Sequence, residues 1–188
     1  MTRGTRAPLQ RYVAFLRAIN VGGRVVKMDR LRTEFEALGF RDVETFIASG
    51  NVLFTAASGE ALALEQRIER RLQKALGYSV ATFLRTPEEL ATIVGNEPFP
   101  GREETAGLWV GFLKSELSRE SRDRLLAFRT GVDEFDARGR EAFWMCRTRF
   151  SESSVSGAKL EKALAMPATF RNVTTVRKLA LRAAAESQ

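Results

Sequence analysis

Histidine is absent from the sequence and cysteine occurs once, which excludes most of the common catalytic and metal-binding arrangements. Without an imidazole, the chain lacks the usual general base for neutral pH and any Ser-His or Cys-His nucleophile. A single cysteine excludes disulfide frameworks and zinc fingers. Because Cys146 lies in the apolar segment AFWMC, we expect a buried, inert thiol there. We therefore predict no metal site and no cofactor.

Long apolar runs are also missing. No segment approaches the length that spans a bilayer, and the N-terminal segment MTRGTRAPLQ lacks the apolar core of a signal peptide. We expect a cytoplasmic protein that does not contact membranes.

What the chain does have is an ordinary globular composition with an excess of positive charge. Of its 188 residues, 44% are hydrophobic and 28% charged, and the net charge is +7. A basic protein favours anionic partners such as nucleic acid, nucleotides, phosphorylated metabolites or an acidic protein. The charge is spread along the chain, however, so it does not by itself single out nucleic acid.

The N-terminal half has the pattern of a split βαβ domain. Residues 12–17 (YVAFLR) predict a buried strand, and apolar residues at three- and four-residue steps then predict a helix that ends at Gly39. The segments VETFIA and NVLFTA predict two strands of a hairpin. A second helix, capped by Ser58 and ended by Gly77, precedes a fourth strand in SVATFLR. The order β-α-β-β-α-β is that of a ferredoxin-like domain.

The second half repeats this order in a divergent form. Thr86-Pro87-Glu88-Glu89 predicts a capping box with proline at the first helical position, followed by the Gly- and Pro-rich segment GNEPFPGREETAG. LWVGFL predicts a strand, SRESRDRLLAF a helix, and VDEFDARGREAFWMC a hairpin. A helix in KLEKAL and a last helix from about Val173 close the chain. We predict an α+β protein of two ferredoxin-like lobes with antiparallel sheets: residues 1–94 with a trailing helix, a linker over 95–107, and a divergent lobe over 108–188.

Topology brings two polar loops of the first lobe to one end of its sheet. With right-handed connections, RAINVGG after the first strand and SGN in the hairpin meet beside the N-terminus of the first helix. That end offers backbone N–H donors and the positive pole of the helix dipole. The candidate ligand-binding residues there are Arg17, Asn20, Gly22, Gly23, Lys27, Ser49, Gly50 and Asn51.

Each of these features also has a purely structural interpretation. The two glycines can serve only the turn, Ser49-Gly50-Asn51 can be only a hairpin, and Lys27 can be a solvated first-turn residue. The complete phosphate-loop motif and the dinucleotide motif G-x-G-x-x-G are both missing.

The C-terminal lobe has two polar clusters, SESSVSGAK and TFRNVTT. The first favours a loop with a helix cap at Ser156. In the second, Arg171 and Asn172 precede a helix, where they can either bind a carboxylate or phosphate or serve in capping and hydrogen bonds between the lobes.

Other function classes stay open at this point. An enzyme without histidine would need Lys27 or Lys159 as base, or a carboxylate such as Asp29 or Glu44, and no acid–base pair with a defensible geometry is evident. RNA or single-strand binding fits the fold, but the aromatic strand signature of RNA-recognition motifs does not occur. A plain interaction or scaffold role is the remaining alternative.

Two segments resemble a known family. FLRAINVGGRVVKMDRLRTEFEALGFRDVETFIASGNVLF and EKALAMPATFRNVTTVRKL are similar to the signatures of the bacterial proteins grouped as domain-of-unknown-function family 1697. The resemblance covers roughly Tyr12 to Leu181, implies two ferredoxin-like lobes, and implies no established activity. The family pattern maps onto Arg17, Asn20, Val21, Gly22, Gly23, Met28, Gly39, Ser49, Gly50, Asn51, Arg171, Asn172 and Thr175.

The chain departs from that pattern at four positions. Ala18 stands where glycine is usual, Phe170 and Val173 replace a threonine and a tryptophan, and Ser154 stands where lysine is common. The N-terminal cluster is thus nearly intact and the C-terminal cluster is not. We predict binding of a phosphate- or nucleotide-type small anion at the end of the N-terminal sheet, with Arg171 and Asn172 as additional contacts.

Overall fold

Strands and helices alternate in the same order twice along the chain. The computed structural model describes residues 7–20, 23, 25–47, 50–96, 98–101, 107–148, 153 and 155–185. The chain divides into two units, Met1–Leu90 with Leu179–Gln188, and Ala91–Lys178. Among the described residues, no helix is both long enough and apolar enough to cross a membrane.

The first unit has the predicted β-α-β-β-α-β order, with a further helix after it. Its elements are β1 (Leu9–Leu16), α1 (Met28–Glu36), β2 (Arg41–Phe46), β3 (Asn51–Ala57), α2 (Ala61–Leu76), β4 (Thr82–Arg85) and the start of α3 (Pro87–Gly95). The sheet order is β2-β3-β1-β4 with every neighbouring pair antiparallel, which is the ferredoxin-like arrangement.

The core of this unit lies between the sheet and its two helices. The stripe predicted from sequence places Leu31 and Phe35 of α1 and Ile68 and Leu72 of α2 against the sheet, all at most 1% exposed. Phe54 of β3 lies in this layer, with 5.4 Å between the ring centroids of Phe54 and Phe35. Each such side chain contributes about 1.5–3 kcal/mol when buried, so the two stripes hold both helices to the sheet.

The second unit repeats the topology. Its elements are β5 (Gly107–Phe112), α4 (Arg119–Leu126), β6 (Asp133–Arg138), β7 (Glu141–Cys146), α5 (Gly157–Leu164), β8 (Thr169–Asn172) and the start of α6 (Val173–Ala185). Its sheet order, β6-β7-β5-β8, matches that of the first sheet strand for strand. The prediction of two ferredoxin-like lobes is confirmed.

The fourth strand of this unit is the element that the sequence did not predict. β8 is only four residues long, TFRN, and it alternates buried with partly buried positions. It exists as a strand because it pairs with β5 from Trp109↔Asn172 to Phe112↔Thr169. Such a strand depends on its partner rather than on its own composition.

Local capping signals succeeded in two cases and failed in one. Thr86 and Glu89 form the predicted reciprocal box, with Thr86 N donating to Glu89 Oε2 at 2.8 Å and Glu89 N to Thr86 Oγ1 at 3.3 Å. Ser156 Oγ accepts from Lys159 N at the start of α5, as predicted. Ser58 as the cap of α2 was wrong, because α2 begins at Ala61, with Glu60 in the N-cap position and no side-chain cap.

Candidate functional site

The loop after β1 and the β2–β3 hairpin meet at one end of the first sheet, as the topology predicts. Leu16 N donates to Gly50 O at 2.8 Å, and Phe15 is the register partner of Asn51. A Cβ atom on Gly50 would lie only 2.5 Å from Ile19 Cγ2, so the glycine allows the two loops to approach this closely.

Asn20 closes the first loop with its own side chain. Its Oδ1 accepts from Val26 N at 2.6 Å, and its Nδ2 donates to Val26 O at 3.4 Å. The amide therefore bridges the residues that join β1 to α1. The Asn20 side chain thus helps to fix the shape of this loop.

Asn51 has the equivalent role in the hairpin. Its side chain is fully buried, and its Nδ2 donates to Phe46 O at 3.1 Å. Arg17 follows β1 directly; its backbone N donates to Ala81 O at 2.9 Å and its side chain is half-buried. The structure thus brings Arg17, Asn20, Gly50 and Asn51 to one end of the sheet.

Four residues of these two loops have left-handed backbone conformations. The φ angles are 82° at Gly23 and 74° at Gly50, and the non-glycine residues Ala18 and Ile47 have φ of 56° and 50°. A left-handed conformation costs a non-glycine residue roughly 1–2 kcal/mol. Strained backbone of this kind occurs preferentially at functional sites, which motivates a functional hypothesis for this end of the sheet.

The N-terminus of α1 opens at the same end. Lys27 occupies the N-cap position in an extended conformation, is exposed, and gives no side-chain hydrogen bond to the first turn. The first-turn N–H groups therefore have no side-chain cap. Asp29, in that turn, forms an ion pair with Arg32 at 3.2 Å.

Two apolar side chains at this end are exposed, which the sequence did not predict. Val25, in the loop before α1, is 85% exposed, and Ile47, in the hairpin, is 53% exposed. Valine and isoleucine are usually buried, so the sequence alone does not predict that these two side chains are exposed. Gly22 and Ser49 lie outside the described residues.

Arg171 and Asn172 belong to the second unit. Arg171 is buried and donates from Nη1 to Thr169 Oγ1 at 2.8 Å and to Phe170 O at 2.9 Å. Burial lowers the pKa of the Arg171 guanidinium to about 10, because the charged form loses its hydration. Asn172 Oδ1 accepts from Thr174 N at 2.9 Å and so caps α6, which is the structural alternative that the sequence left open.

The first unit contains a counterpart of Arg171 that the sequence analysis missed. Arg85 ends β4 just before the cap of α3, is 1% exposed, and donates from Nη1 to Leu84 O at 2.7 Å. Arg85 pairs with Val13 and Arg171 with Val110, so both occupy the same place in the two sheets. Both arginines lie at or next to the end of a strand and directly precede a helix cap, and this repeated order in the sequence could have identified Arg85.

Two of the acid–base candidates are held in ion pairs. Glu44 forms an ion pair with Arg182, and Asp29 pairs with Arg32. Lys159 lies at the start of α5 in the second unit. Within the part of the chain that the structure describes, no three residues among Asp, Glu and Cys are placed to hold a metal ion.

The strain at Ala18 gives a direct prediction. Ala18→Gly relieves roughly 1–2 kcal/mol of left-handed strain and loses about 0.4–1 kcal/mol through the greater freedom of the unfolded chain. We expect a net stabilisation of about 0.5–1 kcal/mol, measured as a rise in Tm of about 1–4 °C.

The matched control is Ala37→Gly, since Ala37 ends α1 at φ −66°. That replacement should lower stability, because glycine has no conformational advantage there. Equal changes in Tm for both variants would show that Ala18 is not strained.

Comparison with known proteins gives a family and a fold. The family model described as "Protein of unknown function (DUF1697)" matches residues 9–143. The structure is similar to that of a conserved bacterial protein from Streptococcus pneumoniae, with 25% sequence identity, 94% of this chain and 99% of that chain covered, and a TM-score of 0.72. None of the curated proteins compared with the chain matches it.

Proposed function

The chain belongs to the DUF1697 family of proteins of unknown function, and from its own residues we propose that it binds a phosphate- or nucleotide-type anion at the end of the first sheet. The site lies where the loop after β1, the β2–β3 hairpin and the start of α1 meet. The observation that carries the proposal is the uncapped first turn of α1, which opens beside the exposed Lys27.

The charges and donors at this end suit an anion. A helix N-terminus contributes only about 0.3–1 kcal/mol to an exposed anion, and a hydrogen bond to a charged group about 1.5–3 kcal/mol. Micromolar affinity needs about 8 kcal/mol, so several donors must act together. The proposed donors to the anion are the side chains of Arg17 and Lys27 and the first-turn N–H groups of α1. The negative charge of Asp29 repels an anion at this site, and its ion pair with Arg32 reduces that repulsion.

The loops supply a rigid frame and an apolar wall. Asn20 and Asn51 hold the two loops by their side-chain amides. Val25 and Ile47 expose apolar surface at the same end, which favours a nucleotide over inorganic phosphate because a base offers a flat apolar partner. Under this proposal the glycine and asparagine residues shape the site, and Arg17 and Lys27 bind the anion.

Ligand-induced stabilisation tests the proposal. Melting of the wild type is followed with ATP, ADP, GTP, AMP and inorganic phosphate. A nucleotide at a hundred times its Kd should stabilise the fold by about 2.7 kcal/mol, which corresponds to a rise in Tm of about 5–10 °C for a chain of this size. The double variant Arg17→Ala, Lys27→Ala should lose most of that rise.

The matched control is Lys162→Ala, which removes an exposed cation from α5 in the second unit. It should keep the full rise. The proposal fails if none of the five compounds raises the Tm of the wild type, or if the double variant responds as the wild type does.

Base stacking on the sheet surface, as in RNA-recognition motifs, finds no support in the first unit. That mode needs exposed aromatic side chains on the face opposite the helices. Val13, Phe15, Leu53 and Phe83 occupy that face and are fully buried. Nucleic-acid binding would have to use another surface.

A further inference from the structure

Helix α2 separates its charges onto two flanks. Glu65 Oε1 accepts from Leu84 N and Glu69 Oε1 from Thr82 N, both at 2.8 Å, so these two carboxylates face β4. Arg67, Arg70 and Lys74, at steps of three and four residues, share the exposed side of the helix. Because the carboxylates are bound to the strand edge, the outer side of α2 is left with charge of one sign.

Helix α1 adds to this positive surface. Arg30 Nη2 donates to Ala75 O near the end of α2, and Arg67 Nη2 donates to Leu38 O just after α1. These contacts show that the two helices lie antiparallel and side by side. We call the set Arg30, Arg67, Arg70, Arg71 and Lys74 the basic ridge.

Little negative charge compensates the basic ridge. Glu34 of α1 binds Arg71, with 2.6 Å between Glu34 Oε2 and Arg71 Nε, and its side chain is only 13% exposed. Arg70 and Lys74 contact no carboxylate and have no hydrogen-bond partner within the described residues. Within the described residues, Glu34 is thus the one carboxylate that forms an ion pair with a cation of the basic ridge.

The dimensions of the basic ridge suit a nucleic-acid backbone. From Arg67 to Lys74 the helix rises about 10 Å, at 1.5 Å per residue. A duplex strand carries one phosphate per roughly 3.4 Å of axis, so a ridge lying along the duplex axis covers the axial rise of about three phosphates of one strand. Arginine also matches the geometry of phosphate oxygens through paired N–H donors.

We propose that the basic ridge is a sequence-independent docking surface for the phosphate backbone of a nucleic-acid duplex. This surface adjoins the small-anion site at the first turn of α1, where Arg30 lies, but its use does not depend on that site. It places nucleic-acid binding on the helices of the first unit and not on its sheet.

The surroundings favour a duplex over the other polyanions. Single strands are bound with the help of exposed aromatic side chains, and Phe35 and Phe40 of this region are buried, Phe40 beneath the Arg67 guanidinium. Insertion of a helix face into a membrane would require exposed apolar residues between the cations. Among the described residues of α1 and α2, Leu62 is the one large hydrophobic side chain that is exposed, and it lies in the first turn of α2.

The salt dependence of binding to a 20-base-pair duplex of mixed sequence tests the proposal. Anisotropy titrations between 50 and 200 mM salt should give a steep linear dependence of log K on log salt concentration. The double variant Arg70→Gln, Lys74→Gln should reduce that slope by about 2 and weaken binding at 50 mM salt about tenfold or more. Both side chains are exposed and have no hydrogen bond or ion pair within the described residues, so the fold should be unchanged, which the melting curve checks.

The control variant, Arg119→Gln with Lys162→Gln, removes the same charge from exposed positions of the second unit. It should leave the slope unchanged. The proposal is overturned if the wild type does not bind the duplex at 50 mM salt, or if the control loses as much as the ridge variant. Binding to phosphatidylserine vesicles with no binding to duplex would also overturn it.

The variant Arg17→Ala, Lys27→Ala distinguishes this proposal from the small-anion site. It should bind duplex like the wild type while losing the nucleotide response. Loss of duplex binding in this variant, with the ridge variant unaffected, would assign the polyanion to the loops and contradict the proposal.

Discussion

Replacing Asp133 with alanine is expected to lower the free energy of unfolding by about 3–5 kcal/mol. Asp133 is fully buried in the second unit, and its carboxylate accepts from Trp144 Nε1 at 2.8 Å, Ser153 Oγ at 3.0 Å and Thr130 Oγ1 at 3.0 Å. Alanine leaves the buried indole N–H without an acceptor and also leaves a cavity. Urea unfolding of wild type and variant measures the difference.

Two controls separate the carboxylate from the rest of the side chain. Asp133→Asn keeps one oxygen that can accept from Trp144, so we expect a smaller loss than for alanine. Asp123→Ala removes an exposed carboxylate from α4 and should change stability by no more than about 0.5 kcal/mol. If Asp133→Ala costs no more than Asp123→Ala, the buried network does not stabilise the unit.

The replacement of Gly50 by alanine should lower the free energy of unfolding by about 2–5 kcal/mol. The loss combines a left-handed backbone, with φ of 74°, and a steric conflict of the new Cβ with Ile19 Cγ2 at 2.5 Å and Leu16 Cβ at 3.2 Å. The first effect costs roughly 1–2 kcal/mol and overpacking typically about 1–3 kcal/mol. The free energy of unfolding from urea titration is the measurement.

Gly39 offers a matched control, because its φ is 79° and a Cβ there would meet no atom within 4 Å. Gly39→Ala should therefore show the conformational cost alone. A loss at Gly50 equal to that at Gly39 would mean that the two loops can separate without cost. The difference between the two losses in free energy of unfolding measures how tightly the hairpin packs against the loop after β1.

The order of elements was accessible from the sequence because apolar spacing is a local property. The stripe from Met28 to Leu38 and the capping box at Thr86 and Glu89 each depend on residues within a few turns of one another. β8 was not accessible, since four polar and aromatic residues become a strand only beside β5. The cap proposed at Ser58 failed because a capping residue must also lie at the first turn, and α2 begins at Ala61.

The candidate site was predictable in position and not in detail. Strand directions alone bring Arg17 and Gly50 to one end of the sheet. No sequence rule assigns the amide of Asn20 to Val26 N, because that bond depends on the path of the loop between them. Nor does any rule place Ala18 at φ 56°, although its position in the family pattern, where glycine is usual, agrees with the left-handed conformation observed.

The carboxylates that bind the edge of β4 have a consequence for assembly and solubility. An exposed strand edge can recruit a foreign strand through its free N–H and C=O groups, which is the first step of domain swapping and amyloid growth. Glu65 and Glu69 already occupy the N–H groups of Leu84 and Thr82. Glu161 of α5 makes a related bond in the second unit, where its Oε1 accepts from Ala168 N at 3.1 Å, one residue before β8. The β4 edge of the first sheet is thereby protected against strand addition at the N–H groups of Leu84 and Thr82.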